Sequence, residues 1–395
     1  MDLLPKTEAA ARVERLQSWM QSTGIDAVFV LQNADLYYLS GTVQVGVLCL
    51  PAAGAPLLLV QKSAARARIE SPWERVIPLG GLSKIPDILA AEGVAGLKRV
   101  GLEMDVLPAS YYLRFQNLFA GTEFVDVSES IRTLRMIKSH LEVDQIRAAA
   151  QMLDRVFSEV TGWISPGITE LELAARVEGF LRLQGHPGIT RMRGFNLEIA
   201  YGTVSSGTSA SFPTYFPGPV GCVGLYPAIP SGASRRTIAS GDPLMVDIVG
   251  GFGGYIADKT RTFALGELPR DMRDGHDFTL MLLREIESML RPGVPCKRIY
   301  RHTCDLLKDS PYRSSFMGAG ENQVRFVGHG VGLELDDLPV LAAGFDVPLQ
   351  EGMTIAIEPK IFFPERGGVG VENTYLITAA GFENLTPFPE ELISI

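Results

Sequence analysis

"VDIVGGFGGYIADKTRTF", residues 246–263, carries two carboxylates inside strand-like runs. Asp247 follows "PLMV", Asp258 follows "YIA", and Phe252, Gly253 and Gly254 between them mark a tight turn. The pattern predicts a β-hairpin with one acid on each strand. Two carboxylates brought together away from water repel one another unless a cation or a shared proton lies between them. The rest of the chain must supply that positive partner.

Three further blocks have the same character. "FVGHGVGLELDDLP" (326–339) sets His329 between glycines in an apolar run, Glu358 closes "MTIAIE" before a proline, and Glu372 lies within "GVGVENTYLIT". Singly, each has an ordinary explanation: a satisfied core histidine, or a salt-bridged strand acid. Together they outnumber the cations expected to face them. Lys259, Arg261 and Lys360 are close in sequence, but strand alternation and strand ends are expected to turn many of them elsewhere. Four buried carboxylates and one imidazole form an oxygen-rich donor set suited to two divalent ions bridged by carboxylates and a water.

The bulk composition sets limits. A chain of 395 residues has room for two or three domains, and 46% hydrophobic with 21% charged residues is an ordinary globular mix. A net charge of −9 without a basic stripe argues against nucleic acid. No apolar run approaches the roughly 20 residues needed to cross a bilayer. The N-terminal stretch mixes charges through its apolar positions, unlike a signal peptide, and Ala9, Val13, Leu16 and Met20 fall at helical spacing. Cys49, Cys222, Cys296 and Cys304 contain no CxxC pair, so neither a disulfide framework nor a zinc ribbon is expected, and a reducing, cytoplasmic setting fits. Cys296 and Cys304 share one predicted helix and read as small buried side chains.

The first third alternates strand-like runs, "DAVFVL" (26–31), "VGVLCL" (45–50) and "PLLLV" (56–60), with amphipathic stretches "KIPDILAAEGV" and "PASYYLRFQNLF". It reads as a small α/β domain. From Leu141 onward Ile146, Ala150, Leu153, Phe157 and Val160 keep the helical period. Domains at 1–138 and 139–395 are expected. The long helix stops at "SPG" (165–167), and Thr169 with Glu172 forms a capping box for the next one. Pro292-Gly293 repeats this punctuation, hinting at a duplicated helix-helix-strand unit.

In order and spacing, Asp247, Asp258, His329, Glu358 and Glu372 resemble the five metal ligands of the pita-bread metallopeptidases. That family includes methionine aminopeptidase, Xaa-Pro aminopeptidase, prolidase and the non-peptidase creatinase. "GGYIADKTRTF", "GHGVGLE", "AIEP" and "GVGVEN" look like its signatures. "ADLYYLSG" (34–41) and "LRMIKSHLEVDQIRAA" resemble segments of the creatinase and prolidase branch. The resemblance implies an α/β (α+β) protein, with an N-terminal creatinase-like domain before a pita-bread catalytic domain. It implies two divalent ions (manganese, cobalt, zinc or iron), with Asp247 on one, His329 and Glu358 on the other, and Asp258 and Glu372 bridging. Glu358 and His329 would be the catalytic residues, with Glu358 moving a proton from the attacking water to the leaving nitrogen. A homodimer is expected on the same ground.

Some positions depart from the family. The histidine seven places after the metal histidine in peptidases is Asp336, and a second substrate-side histidine is replaced by Thr214. The arginine two places before the last ligand is Gly370, and Lys360 stands where a glycine follows "EP". The expected function is an Xaa-Pro aminopeptidase or dipeptidase cleaving the N-terminal peptide bond. Asp336 and Thr214 keep open a creatinase-like hydrolase or lyase acting on a small nitrogen-containing metabolite. In "TRMRGFN", Arg191 and Arg193 share one face of an expected strand and could take a substrate carboxylate or form a structural pair. The Pro- and Gly-rich stretch 216–236 reads as a surface excursion or dimer contact, ahead of a pocket wall.

Overall fold

The apolar runs of the first third become strands, and the periodic stretches between them become helices, in a computed structural model that describes residues 3–395. α1 (Lys6–Thr23) buries Ala9, Val13, Leu16 and Met20. There follow β1 (Ala27–Val30), α2 (Asn33–Ser40), β2 (Gly46–Pro51), β3 (Leu57–Val60), α3 (Ala64–Glu70) and β4 (Val76–Pro78). α4 (Ile85–Ala91), β5 (Arg99–Leu102), α5 (Ala109–Leu118), β6 (Glu123–Asp126) and α6 (Ser128–Met136) complete the series. The strands form one mixed sheet in the order β4-β3-β2-β1-β5-β6. Phe29, Leu57 and Leu59 of the sheet share a core with Ile85 and Leu89 of α4 and Phe115 of α5. This is a compact α/β unit, and the chain divides into units between Arg135 and Met136.

The second unit holds α7 (His140–Trp163), α8 (Glu170–Leu183), β7 (Gly202–Ser206), β8 (Pro243–Phe252) and β9 (Tyr255–Ala264). Then come α9 (Arg270–Glu287), α10 (Cys296–Leu307), β10 (Phe326–Gly330), β11 (Asp337–Ala342), β12 (Thr354–Ile357) and β13 (Lys360–Phe363). β14 (Gly367–Gly370), β15 (Asn373–Thr378), β16 (Gly381–Asn384) and β17 (Ile393–Ser394) close it. A helix pair precedes the strands in each half. Capping boxes start α7 at Ser139–Glu142 and α8 at Thr169–Glu172, so both helices begin with their first amides satisfied. α7 lies directly on the hairpin: a Cβ on Gly250 of β8 would stand 2.4 Å from the Ala149 carbonyl oxygen.

Two sheets supply the functional side chains, one ordered β17-β9-β8-β7 and the other β11-β10-β12-β15-β16. Thr260 of β9 joins them by exchanging backbone hydrogen bonds with Glu372, at 3.4 and 3.1 Å. β13 and β14 form a separate ribbon in which Lys360 pairs with Gly370. Residues 191–198 form no strand; they make a loop closed by a single bridge from Thr190 to Ile199. All four cysteines are free. Among the described residues no helix is long and apolar enough to cross a membrane.

Candidate metal centre

Gly253 and Gly254 have φ of 58° and 91°. Two consecutive left-handed positions are what a two-residue hairpin turn requires, and Gly takes them without a Cβ penalty. The turn fixes the register, pairing Asp247 with Thr260 and Val249 with Asp258. Because side chains alternate along a strand, Asp247 and Asp258 emerge on one face, diagonally across the ladder.

The second sheet brings the other three groups to that face. His329 in β10 pairs with Ala356 of β12, Glu358 follows the end of β12, and Glu372 lies just before β15. Asp258, Glu358 and Glu372 are buried, and the Asp247 side chain retains 19% exposure. His329 Nε2 stands 3.9 Å from Asp258 Oδ2, 3.7 Å from Glu358 Oε1 and 3.9 Å from Glu372 Oε1. Its Nδ1 lies 3.2 Å from the Gly330 carbonyl. With Nδ1–H donating there, the Nε2 lone pair faces the carboxylates, the tautomer a metal ligand needs.

The cation reading needs a correction at one position. Lys259 and Arg261 do turn away. Lys259 pairs with Asp154 and lies over the rings of Phe157 and Phe388, where burial and the neighbouring Arg261 push its pKa down to about 7. Arg261 donates to Asn373 Oδ1 and to the carbonyls of Glu372 and Phe388. Lys360 turns inward instead. Its Nζ donates to Glu358 Oε2 at 2.6 Å, Glu372 Oε2 at 2.8 Å and Asp247 Oδ2 at 3.1 Å. Alternation carried the signal, since Glu358 and Lys360 are two residues apart in extended chain.

Electrostatics follow from this crowding. Burial, then Glu372 and Asp247, raise Asp258 well above the usual carboxylate range. Burial also raises Asp247, with Lys360 opposing. Burial alone would lower Lys360, but Asp247, Glu358 and Glu372 carry its pKa well above the ordinary lysine value.

The donor set can be tested for a divalent ion. Glu372 Oε1 is buried without a hydrogen-bond partner, and donor atoms of Asp258, His329 and Glu372 lie within 4.8 Å of one another. A buried unpaired carboxylate oxygen facing an imidazole lone pair is costly without a cation between them. The group fits such an ion.

The centre opens into a cavity of about 820 Å³. Its acidic lining residues are Glu178, Glu198, Asp247, Asp258, Asp336, Glu358 and Glu372, and no lysine or arginine is among those residues. Thr214 and Asp336 both reach it. Thr214 Oγ1 donates to the Pro230 carbonyl at 2.6 Å, while Asp336 accepts from the backbone N–H groups of Arg193 at 2.8 Å and Gly194 at 3.3 Å. The buried Arg193 guanidinium lies 3.6 Å from Glu334. The 216–236 stretch is a pocket wall, not a mere excursion: Phe216, Pro217, Pro219, Leu225, Tyr226 and Ile229 line the cavity. Sequence reading ranks this second because the stretch has no periodic pattern; it is held by turns such as Ile229 N–H to Tyr226 O and by bonds to the preceding segment such as Gly221 N–H to Ala210 O.

The chain is similar to known proteins over nearly its whole length. The model of metallopeptidase family M24 matches residues 144–379, and that of the creatinase/prolidase N-terminal domain matches residues 12–137. The chain is 28% identical to the Xaa-Pro dipeptidase of Pyrococcus horikoshii over 97% of its own length and 98% of the relative's. Among solved structures it is similar to dipeptidase PepE from Mycobacterium ulcerans, at 26% identity and a TM-score of 0.83, with both chains covered in full. It is similar too to an Xaa-Pro dipeptidase from Bacillus anthracis, at 25% identity and a TM-score of 0.83, over 98% of this chain and all of that one.

Proposed function

The chain belongs to metallopeptidase family M24, and on that premise we propose that it hydrolyses the N-terminal peptide bond of short peptides, with proline in the second position among its substrates. The relatives named as dipeptidases and Xaa-Pro dipeptidases support a peptidase over a metabolite hydrolase or lyase. The observation that carries the reading is the acid-rich centre at the floor of an apolar cavity. Family membership implies divalent metal ions; Asp258, His329, Glu358 and Glu372 would hold one, and the oxygen-rich set with a single imidazole suits manganese. Two ions would require the Lys360 ammonium to leave Asp247, Glu358 and Glu372.

When bound, such an ion supplies Lewis-acid polarisation of the scissile carbonyl and activation of water. The protein's residues do the rest. Glu358 keeps Oε2 on Lys360 and turns Oε1 toward His329, so the oxygen that would hold the ion also lies beside the water that ion would activate, placed to pass its proton to the departing nitrogen. The acids of the lining draw in a protonated amino terminus, and Phe216, Tyr226 and Ile229 exclude water from the side chains behind it. The acidic lining favours recognition of the substrate at its amino end. The exposed Phe195, Phe212 and Tyr226 favour the expected homodimer, which would cover them.

A panel of Xaa-Pro dipeptides, their C-terminal amides and Xaa-Pro tripeptides tests this with the metal content verified. Amides and tripeptides are expected to show higher kcat/KM than the free dipeptides. No turnover of any proline peptide by the loaded protein would reject the reading.

A further inference from the structure

We propose that the ammonium of Lys360 takes the place of one of the two cations, so that the centre holds a single divalent ion between Asp258, His329, Glu358 and Glu372. The inference rests on the metallopeptidase reading for the presence of an ion and adds how many there are.

The carboxylate oxygens divide into two groups. Asp247 Oδ2, Glu358 Oε2 and Glu372 Oε2 surround Lys360 Nζ at 3.1, 2.6 and 2.8 Å. Asp258 Oδ2, Glu358 Oε1 and Glu372 Oε1 surround His329 Nε2 at 3.9, 3.7 and 3.9 Å. Glu358 and Glu372 therefore bridge two positions, giving one oxygen to each. The first position is filled by a cation with hydrogen-bonding geometry. The second has donors too far apart to hydrogen-bond and close enough for one ion to draw each in to about 2.1 Å.

The lysine has a built place. Its stem is fully buried and paired across the ribbon with Gly370, where a Cβ would stand 2.6 Å from Lys360 Cγ. A side chain at residue 370 would exclude the lysine, so the small residue on one strand makes room for the charge on the other. An ion at the first position would need the same three oxygens at about 2.1 Å, which an ammonium already satisfied by them does not leave free. Lys360 is then a positioning residue, holding Glu358 and Glu372 with their other oxygens toward the ion.

Stoichiometry decides the matter. The full chain, stripped with chelator and reloaded with manganese, is expected to retain one ion and to give an uncoupled Mn(II) electron-spin spectrum. Lys360→Gly is expected to take up a second ion and give a spin-coupled pair. Asp247→Asn, on the ammonium side, is expected to keep the single ion, and His329→Ala to lose it. These two variants read the outcome even if Lys360→Gly fails to fold. Two ions in the native chain, one of them lost in Asp247→Asn, would overturn the inference and leave the peptidase reading intact. No ion in any folded variant would reject both.

Discussion

Each unit of the chain buries a cluster of acids, and the two clusters are solved differently. In the first unit Asp35 pairs with Arg135 at 2.6 Å, and Glu103 accepts the backbone N–H groups of Leu31 at 2.7 Å and Gln32 at 3.0 Å. Burial, then the adjacent Asp35, raise Glu103 well above the usual carboxylate range, so the cluster combines one ion pair with an acid biased toward its protonated form. In the second unit the Lys360 ammonium is shared among Asp247, Glu358 and Glu372, and Asp258 adds a fourth acid beside them. Glu103 Oε1 and Glu372 Oε1 are each buried without a hydrogen-bond partner, so an unpaired oxygen does not by itself separate the clusters. Burial of acids does not itself mark a metal site. What marks it is negative charge left over after the protein's own cations and amides are spent.

The largest test of this contrast is Asp258→Asn. It removes a donor from the side with the surplus, and hydrolysis by the metal-loaded protein should fall by about two orders of magnitude or more, with a matching loss of bound ion. A variant that kept both would erase the distinction between the clusters. Arg135→Met strands Asp35 in the first unit and should cost about 3–5 kcal/mol of stability, read by denaturant unfolding, with metal content unchanged. The smallest effect belongs to Glu103. Its folded pKa is raised above the ordinary value of 4.5, so its contribution to stability is complete below that pH and is lost as pH rises through the folded pKa. Glu103→Gln should flatten that slope in unfolding midpoints taken across pH, while leaving the pH profile of metal binding as it was.

Much of the centre was legible in the sequence because it depends on local rules. The Gly253-Gly254 turn and strand alternation place Asp247 and Asp258 on one face before any tertiary contact is known. His329, Glu358 and Glu372 came from motif order, which stands in for the long-range pairing of β10, β12 and β15. Lys360 defeats the expectation that strand ends turn these cations elsewhere, although its two-residue spacing from Glu358 is visible in the sequence. "TRMRGFN" (190–196) reads as a strand with Arg191 and Arg193 on one face, yet the backbone closes into a loop through Thr190 and Ile199. The 216–236 wall was hardest to foresee, since nothing periodic announces a segment held by turns and by scattered bonds to residues 170–171 and 210–214.

That wall has a consequence for how such a protein can change. Its residues take part in no sheet, while the donors of the centre sit on or beside paired strands of two sheets. Substitutions among Phe216, Leu225, Tyr226 and Ile229 alter which side chains are admitted without shifting a single strand register. Substrate range and chemistry are thus inherited on separate parts of the chain, and selection can redraw the first while the second stays fixed.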